Sequence, residues 1–282
     1  MLLASVLFYF ASSMRIVSVA DWCYQSQVTC NHTCTGPEVW GVVSPHCSGK
    51  SQSPVIVTRR ILPDERLTPF HFIGYQEAFH GRLINSGHSV QLDLPSGMRI
   101  KGGNLAAPYK AVQLHLHWGK DRGPGSEHTV DGEQFPMGMH IVHVKEEYDS
   151  ISQALSNHIA VAVLGFFFEK SKSANKKLYP LLNALKYITR PTNSTTLKGV
   201  SLEMFIPPEK NRTKYFRYDG SLTTPNCAEA VIWSLFENTV PLNRKQLAVF
   251  AQLQFSNGKH FCLIYYTFIN KYCSISPLMI VK

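Results

Sequence analysis

Short runs in which every second position is apolar recur along most of the chain, and this period of two predicts strands. Phe70 to Ile73, Gly81 to Asn85 and Val90 to Leu94 alternate in this way, each bounded by Gly, Pro, Asn or Ser. Val55-Ile56-Val57 is a shorter piece of the same kind. Ala111 to Trp118 and Met137 to Val144 alternate as well, separated by Asp121 to Gly132, a loop rich in glycine and charge. Ile159 to Phe168 is almost wholly apolar, which suits a strand buried on both faces, and Ala230 to Phe236 reads the same way. Helical spacing is scarce. Leu178, Leu181, Leu182 and Leu185 share one side of a predicted helix over Lys176 to Tyr187, stopped by Pro191, and Arg244 to Leu253 is a second short candidate. Asp21 to Ser53, rich in Cys, Gly and Pro, is expected to be irregular and held by disulfides. The pattern predicts a mostly β (α+β) fold: one domain on a large, mainly antiparallel, twisted central sheet with short peripheral helices.

Length and composition agree with one domain. The 282 residues are 44% hydrophobic, enough for one large core, and no repeat or second composition regime divides them. The formal charge of +9 is spread out, with no Lys/Arg run longer than two, so no nucleic-acid partner is expected and attraction of anions is the simpler consequence. Leu2 to Ala11 is a short apolar stretch and Ser18-Val19-Ala20 supplies small residues after it, so residues 1–20 are expected to be a secretory signal. Sequons at Asn31-His32-Thr33, Asn193-Ser194-Thr195 and Asn211-Arg212-Thr213 fit a secreted glycoprotein. In that oxidising setting the cysteines at 23, 30, 34, 47, 227, 262 and 273 are expected to pair, and their odd number leaves at least one over.

The chemistry concentrates in two of the predicted strands. His115 and His117 stand in Gln113-Leu114-His115-Leu116-His117-Trp118-Gly119, and His140 stands in Met137-Gly138-Met139-His140-Ile141-Val142-His143. Residues two apart on a strand share a face, so His115 and His117 point the same way. A third imidazole from a neighbouring strand completes three nitrogens around a tetrahedral ion with one position open, the design of a catalytic zinc rather than a closed structural one.

Three further stretches join them: Gly125-Ser126-Glu127-His128-Thr129-Val130-Asp131, Met139-His140-Ile141-Val142-His143 and Gly220-Ser221-Leu222-Thr223-Thr224-Pro225. With the Gln-x-His-x-His-Trp-Gly run these occur in the order found in the α-class carbonic anhydrases, and from about Trp22 to Ser256 the chain resembles that family. Trp22-Cys23-Tyr24 and the cysteine-containing loop before Gln52-Ser53-Pro54 resemble its extracellular, membrane-anchored form most.

The resemblance implies zinc held by His115, His117 and His140, the last through its other ring nitrogen, and a zinc-held hydroxide that converts CO2 to bicarbonate and a proton. It implies that Thr223 donates its hydroxyl proton to Glu127 and thereby orients the nucleophile, and that Thr224 lines the polar side. It implies that His88 passes the proton to solvent and that Val142, Val163, Leu222, Val231 and Trp233 form an apolar wall for CO2. His128 and His143 are assigned to structure, His143 having the opposite strand parity to His140. The same comparison implies disulfides Cys47–Cys227 and Cys23–Cys34, while from spacing alone Cys30 could replace either partner. A monomer at the cell exterior, with membrane association, is expected.

Two departures from the family bear on activity. The residue two before the third ligand is usually a Glu that accepts that histidine's free N–H; here it is Gly138. Loss of such a partner typically weakens metal affinity or activity about 10- to 100-fold. From about Asn257 the family's Asn-x-Arg-Pro-x-Gln segment is not found, so the chain divides into a catalytic domain at 21–256 and a divergent tail at 257–282. Phe261 to Ile269 is apolar but too short to span a bilayer. The rival reading is therefore a catalytically weakened, carbonic-anhydrase-like binding module. A zinc peptidase is disfavoured because no His-Glu-x-x-His helix is present.

Overall fold

The computed structural model describes residues 22–24, 34–119 and 123–255, and the backbone of 279–280. The expected signal at 1–20, the sequon at Asn31, Cys30, Cys262, Cys273 and the apolar run 261–269 lie outside the described residues.

The alternating runs form strands as predicted. They are β1 (Ile56–Val57), β2 (Phe70–Ile73), β3 (Phe79–Asn85), β4 (Val90–Asp93), β5 (Arg99–Gly102), β6 (Tyr109–Trp118), β7 (Thr129–Val130) and β8 (Glu133–Gln134). The series continues with β9 (Met137–Lys145), β10 (Val161–Ser171), β11 (Ser194–Val200), β12 (Tyr215–Gly220), β13 (Val231–Phe236), β14 (Val240–Asn243) and β15 (Met279–Ile280). Twelve of them make one sheet whose main path runs β11-β3-β4-β6-β9-β10-β13-β12-β15, with β5 on β6, β2 on β5 and β14 on β10. Most pairs are antiparallel; β10 is parallel to both β13 and β14. β1, β7 and β8 form a small second sheet, in which the predicted strand at Ile56–Val57 pairs with β7, a strand inside what reads in sequence as a charged loop.

The period of two sorts side chains into two layers. Leu114 and Leu116 of β6, Met137, Met139 and Ile141 of β9, and Leu164, Phe166 and Phe168 of β10 face one core. Leu181, Leu182 and Leu185 of the helix Tyr179–Leu185, and Leu247 and Phe250 of the helix Arg244–Phe250, close that layer. The other face carries Val142, Val144, Val161, Val163, Phe167, Val231 and Trp233 in a second cluster, and the histidines lie on this side. Both helices are shorter than predicted. Lys176–Leu178 is a 3-10 turn, and the α-helix starts at Tyr179, where Pro180 needs no N–H partner in the first turn. Three single turns, Pro37–Val39, Trp40–Val43 and Pro45–Ser48, lie in the described part of the N-terminal region.

At the far end, the backbone of Met279–Ile280 pairs with β12 in the register Phe216↔Ile280 and Arg217↔Met279. The chain at 279–280 thus returns to the sheet and satisfies N–H and C=O groups that β12 would otherwise present at an edge.

Phe166 is buried and stacked on Phe236, with ring centroids 4.7 Å apart. Phe166→Ala is expected to lower stability by about 3–5 kcal/mol through lost burial and a residual cavity. Urea unfolding at constant m-value reads this directly; a loss under about 1 kcal/mol would contradict the packing described.

Candidate metal centre

β9 pairs with β6 in the register His115↔His140 and His117↔Gly138, so His140 stands directly across from His115. Ring centroids are 5.1 Å apart for His115/His117, 5.1 Å for His115/His140 and 4.7 Å for His117/His140. One nitrogen from each ring lies within 4.8 Å of the other two. His140 Nδ1 is 3.2 Å from His115 Nε2. One Glu127 carboxylate oxygen is 3.3 Å from His117 Nε2 and 3.8 Å from His140 Nδ1.

Electrostatics favour the ligand form of these rings. Burial holds the His115 imidazole down at about 4. Burial, reinforced by repulsion from the neighbouring histidines, pushes His117 and His140 well below the usual range. Neutral imidazoles are what a metal needs. Gln113 Oε1, 2.9 Å from His115 Nδ1, accepts that N–H and leaves Nε2 with its lone pair for the centre. His117 Nε2 is buried without a hydrogen-bond partner among the described residues, a cost that an ion would remove. Three convergent, neutral, solvent-shielded nitrogens fit a zinc ion.

Glu127 is largely shielded, its side chain 13% exposed, and burial pushes its carboxyl up to about 8, against the opposing effect of a hydrogen bond from Thr223. A dication nearby favours the ionised form, which can only accept hydrogen bonds. Thr223 sits in the turn after β12, and several bonds hold that turn. Ser221 N–H donates to Ser53 Oγ at 3.0 Å and Ser53 N–H to Ser221 Oγ at 2.9 Å. Trp233 Nε1 donates to Ser221 O at 3.0 Å, and Cys227 N–H to Thr224 O at 2.8 Å. Asn226 and Cys227 both lie in the left-handed region, at φ 72° and 47°, where the chain reverses. The Cys47–Cys227 disulfide anchors the reversal.

The five residues expected to line an apolar wall come together on the histidine face. Val142, Val163, Val231 and Trp233 are buried in one cluster, and Leu222 packs partly buried against it. Val163 pairs with Val142 on one side and Trp233 on the other, and the Trp233 ring is 4.8 Å from that of His140. Thr224 is half-buried in the turn. His88 is half-buried at the start of β4, where Val90↔Leu116 brings it toward the His117 end of β6. The Tyr24 ring lies 6.3 Å from His88 and 6.2 Å from His117.

The two remaining buried histidines are structural neighbours of this site. His143 faces the other layer, where Tyr75 OH donates to its Nε2 at 2.6 Å and its Nδ1–H donates to Ala162 O at 3.2 Å. His128 Nε2 meets Tyr218 OH. Sequence reasoning assigned no roles to Gln113, Tyr218, Trp22 or Tyr24. Gln113 alone carried a signal, an amide two residues before His115 on the same strand face. Both sequence-implied disulfides, Cys23–Cys34 and Cys47–Cys227, are present.

Two outcomes are expected. Burial depresses His115 to about 4 and His128 and His143 to about 3, so below the ordinary imidazole pKa the unfolded chain binds more protons than the folded one. Metal-free protein is therefore expected to lose stability as pH falls from about 6.5 toward 4, read by chemical denaturation at stepped pH. Gly138 offers a second test: a Cβ there meets only Ser126 Cα and Cβ, each at 3.5 Å, an ordinary contact. Gly138→Ala is expected to raise stability by about 0.4–1 kcal/mol through the unfolded state, and a lower melting temperature would refute this.

Comparison with known proteins agrees with this geometry. The profile of the eukaryotic-type carbonic anhydrase family matches residues 35–273. Carbonic anhydrase 4 of Oryctolagus cuniculus is 41% identical over 231 residues, covering 82% of this chain and 74% of that protein. Carbonic anhydrase 4 of Rattus norvegicus is 39% identical over 235 residues (83% and 75%), and carbonic anhydrase 12 of Homo sapiens 38% identical over 217 residues (75% and 60%). A His-His-His centre on a twelve-stranded sheet, and a family match over most of its length, place this chain in the eukaryotic-type carbonic anhydrase family, the zinc-dependent carbonate dehydratases.

Proposed function

We propose that the protein catalyses the reversible hydration of carbon dioxide to bicarbonate and a proton at a zinc ion held by His115, His117 and His140. The observation that carries this reading is the convergence of three neutral nitrogens within 4.8 Å on the buried face of β6 and β9. A zinc ion bound there supplies a Lewis acid that makes water nucleophilic at neutral pH.

The chain's own residues do the rest. Thr223 donates its hydroxyl proton to ionised Glu127, so its oxygen is left to accept a hydrogen bond from the attacking hydroxyl and fix its orientation. Thr224, on the polar side, meets the bicarbonate product. Val142, Val163, Leu222, Val231 and Trp233 hold the uncharged linear substrate without competing for the nucleophile's hydrogen bonds. His88 takes the released proton outward, imidazole being the side chain suited to both accepting and giving up a proton around neutrality.

The disulfides Cys23–Cys34 and Cys47–Cys227 support a location outside the cell, with the expected signal and sequons. Among the described residues no helix is long and apolar enough to cross a membrane. Gly138 favours a weakened enzyme, because the residue two before His140 offers no side-chain acceptor, and the departure from the family's sequence from about Asn257 points the same way.

Elemental analysis paired with stopped-flow CO2 hydration tests the proposal. About one zinc per chain with hydration activity is expected, and His115→Ala is expected to remove both together. Zinc near zero at neutral pH in the wild-type protein would overturn the reading, and activity retained above half in His115→Ala would overturn the ligand assignment.

A further inference from the structure

The helix-covered layer, on the far side of the sheet from the histidines, carries charges that the proposed chemistry does not use. Residues 169–190 and 240–255 hold eight of the chain's 28 Lys and Arg residues but only one of its 19 Asp and Glu residues, Glu169. Eight cations less one carboxylate give these two segments a net charge of +7, against +9 for the whole chain. Along the sequence they do not form a block, since no basic run exceeds two residues and Lys177 is 67 positions before Arg244.

The fold joins them. β10 and β14 run side by side in the register Lys170↔Leu242 and Ser171↔Asn243. Just beyond, Asn175 N–H donates to Gln246 Oε1 and Gln246 Nε2 donates to Asn175 O, both at 2.9 Å. The Gln246 amide thus clamps the loop after β10 to the start of the helix Arg244–Phe250. Lys170, Lys172, Lys176, Lys177, Arg244 and Lys245 gather at this corner, and all six are exposed. The apolar residues of the same segments, Leu178, Leu181, Leu247 and Phe250, are spent on the core beneath.

No carboxylate balances these cations. Among the described residues none of the six takes part in an ion pair. Gathered charges of one sign repel, and Arg244 and Lys245 begin a helix, the end where the macrodipole disfavours cations. The corner is therefore unfavourable for the folded chain alone, and a polyanion laid across it removes the repulsion. The two disulfides that support a location outside the cell decide among polyanions. Anionic lipid is concentrated in the cytoplasmic leaflet, whereas basic patches of this kind suit heparin-like chains.

We propose that this corner is a docking surface for a sulfated polysaccharide of the heparin type. The choice of partner rests on the extracellular location given under the proposed function, and not on the chemistry at the histidines. A polysaccharide held here leaves the metal centre open, so it tethers the protein at the cell exterior without blocking its site.

The test titrates the full-length, disulfide-intact protein with a heparin oligosaccharide by calorimetry. Binding is expected at a physiological ionic strength of about 0.15 M and is expected to weaken steeply as salt is added. The variant Lys176→Gln/Lys177→Gln/Arg244→Gln/Lys245→Gln is expected to bind ~10-fold more weakly or worse. A control that removes four exposed cations elsewhere, Lys50→Gln/Arg60→Gln/Lys101→Gln/Lys210→Gln, is expected to lose less than about 2-fold. CO2 hydration is expected to be unchanged in the first variant, and saturating oligosaccharide is expected to leave the wild-type rate intact. Equal weakening in the two variants overturns the docking surface, because binding then follows net charge alone. Absence of binding at that ionic strength overturns it too. Tighter binding of the wild type to a DNA duplex or to phosphatidylserine vesicles overturns the polysaccharide as partner. On animal cells expressing the protein, heparinase is expected to release it into the medium. Protein found only inside those cells overturns the location and the choice of partner with it. Oligosaccharide binding by a protein without hydration activity overturns the catalytic reading alone.

Discussion

The register between β6 and β9 is the constraint on which the site depends. Pairing His115 with His140 places a third imidazole beside two that already share a strand face. A slip by one residue would send His140 into the helix-covered layer, because strand side chains alternate strictly. That slip is prevented from both sides of β9. Its Met137, Met139 and Ile141 fill one core, and Val142 and Val144 fill the other. On its far edge β10 repeats the constraint by matching Val163 to Val142 and Gly165 to His140. Gly165 has its own part in this: a Cβ there would stand 2.5 Å from Leu235 Cδ2, on the face His140 occupies.

Such packing leaves the histidines dry, and dryness has chemical consequences. Imidazoles out of water stay neutral and keep their lone pairs. A carboxyl in the same place resists ionisation until a cation arrives, as Glu127 does with its pKa near 8. The same burial therefore prepares the nitrogens and leaves the carboxyl dependent on the metal. His115 has Gln113 to orient it, while His140 lies between two glycines, Gly138 along its own strand and Gly165 across from it. The site is thus supported unevenly, firmly at the first ligand and more by shape than by hydrogen bonds at the third.

Around this core the polar turn and the N-terminal arm form a second level of organisation. Ser53, Ser221, Trp233 and the Cys47–Cys227 disulfide hold the turn that carries Thr223 and Thr224. Cys47 and Cys227 also meet Trp40, on which Trp22 and Tyr24 rest, and Trp22 covers His88. Two disulfides far apart in sequence logic thus converge on one side of the site. Rigid sheet positions the three histidines, and cross-linked loops position the groups proposed to handle substrate and proton.

Much of this was legible in the residues. The period of two gave the strands, their faces and the shared direction of His115 and His117, since alternation follows from local backbone geometry. Helix ends were read less well, because Lys176–Leu178 and the residues after Phe250 take conformations that packing sets. The role of Gln113 was within reach, two residues from a ligand, while those of Tyr218 on His128 and Trp22 on His88 were not, for these contacts join segments 90 and 66 positions apart in the chain. The parallel placement of β13 and β14 on β10, and the return of Met279–Ile280 to β12, were equally hidden. Sequence alone determined which histidines are candidates for the chemistry and which strand face they occupy, because those follow from side-chain type and a two-residue repeat. Tertiary structure decided which strands are neighbours and in what register, because long-range pairing depends on how both faces of every strand are buried at once.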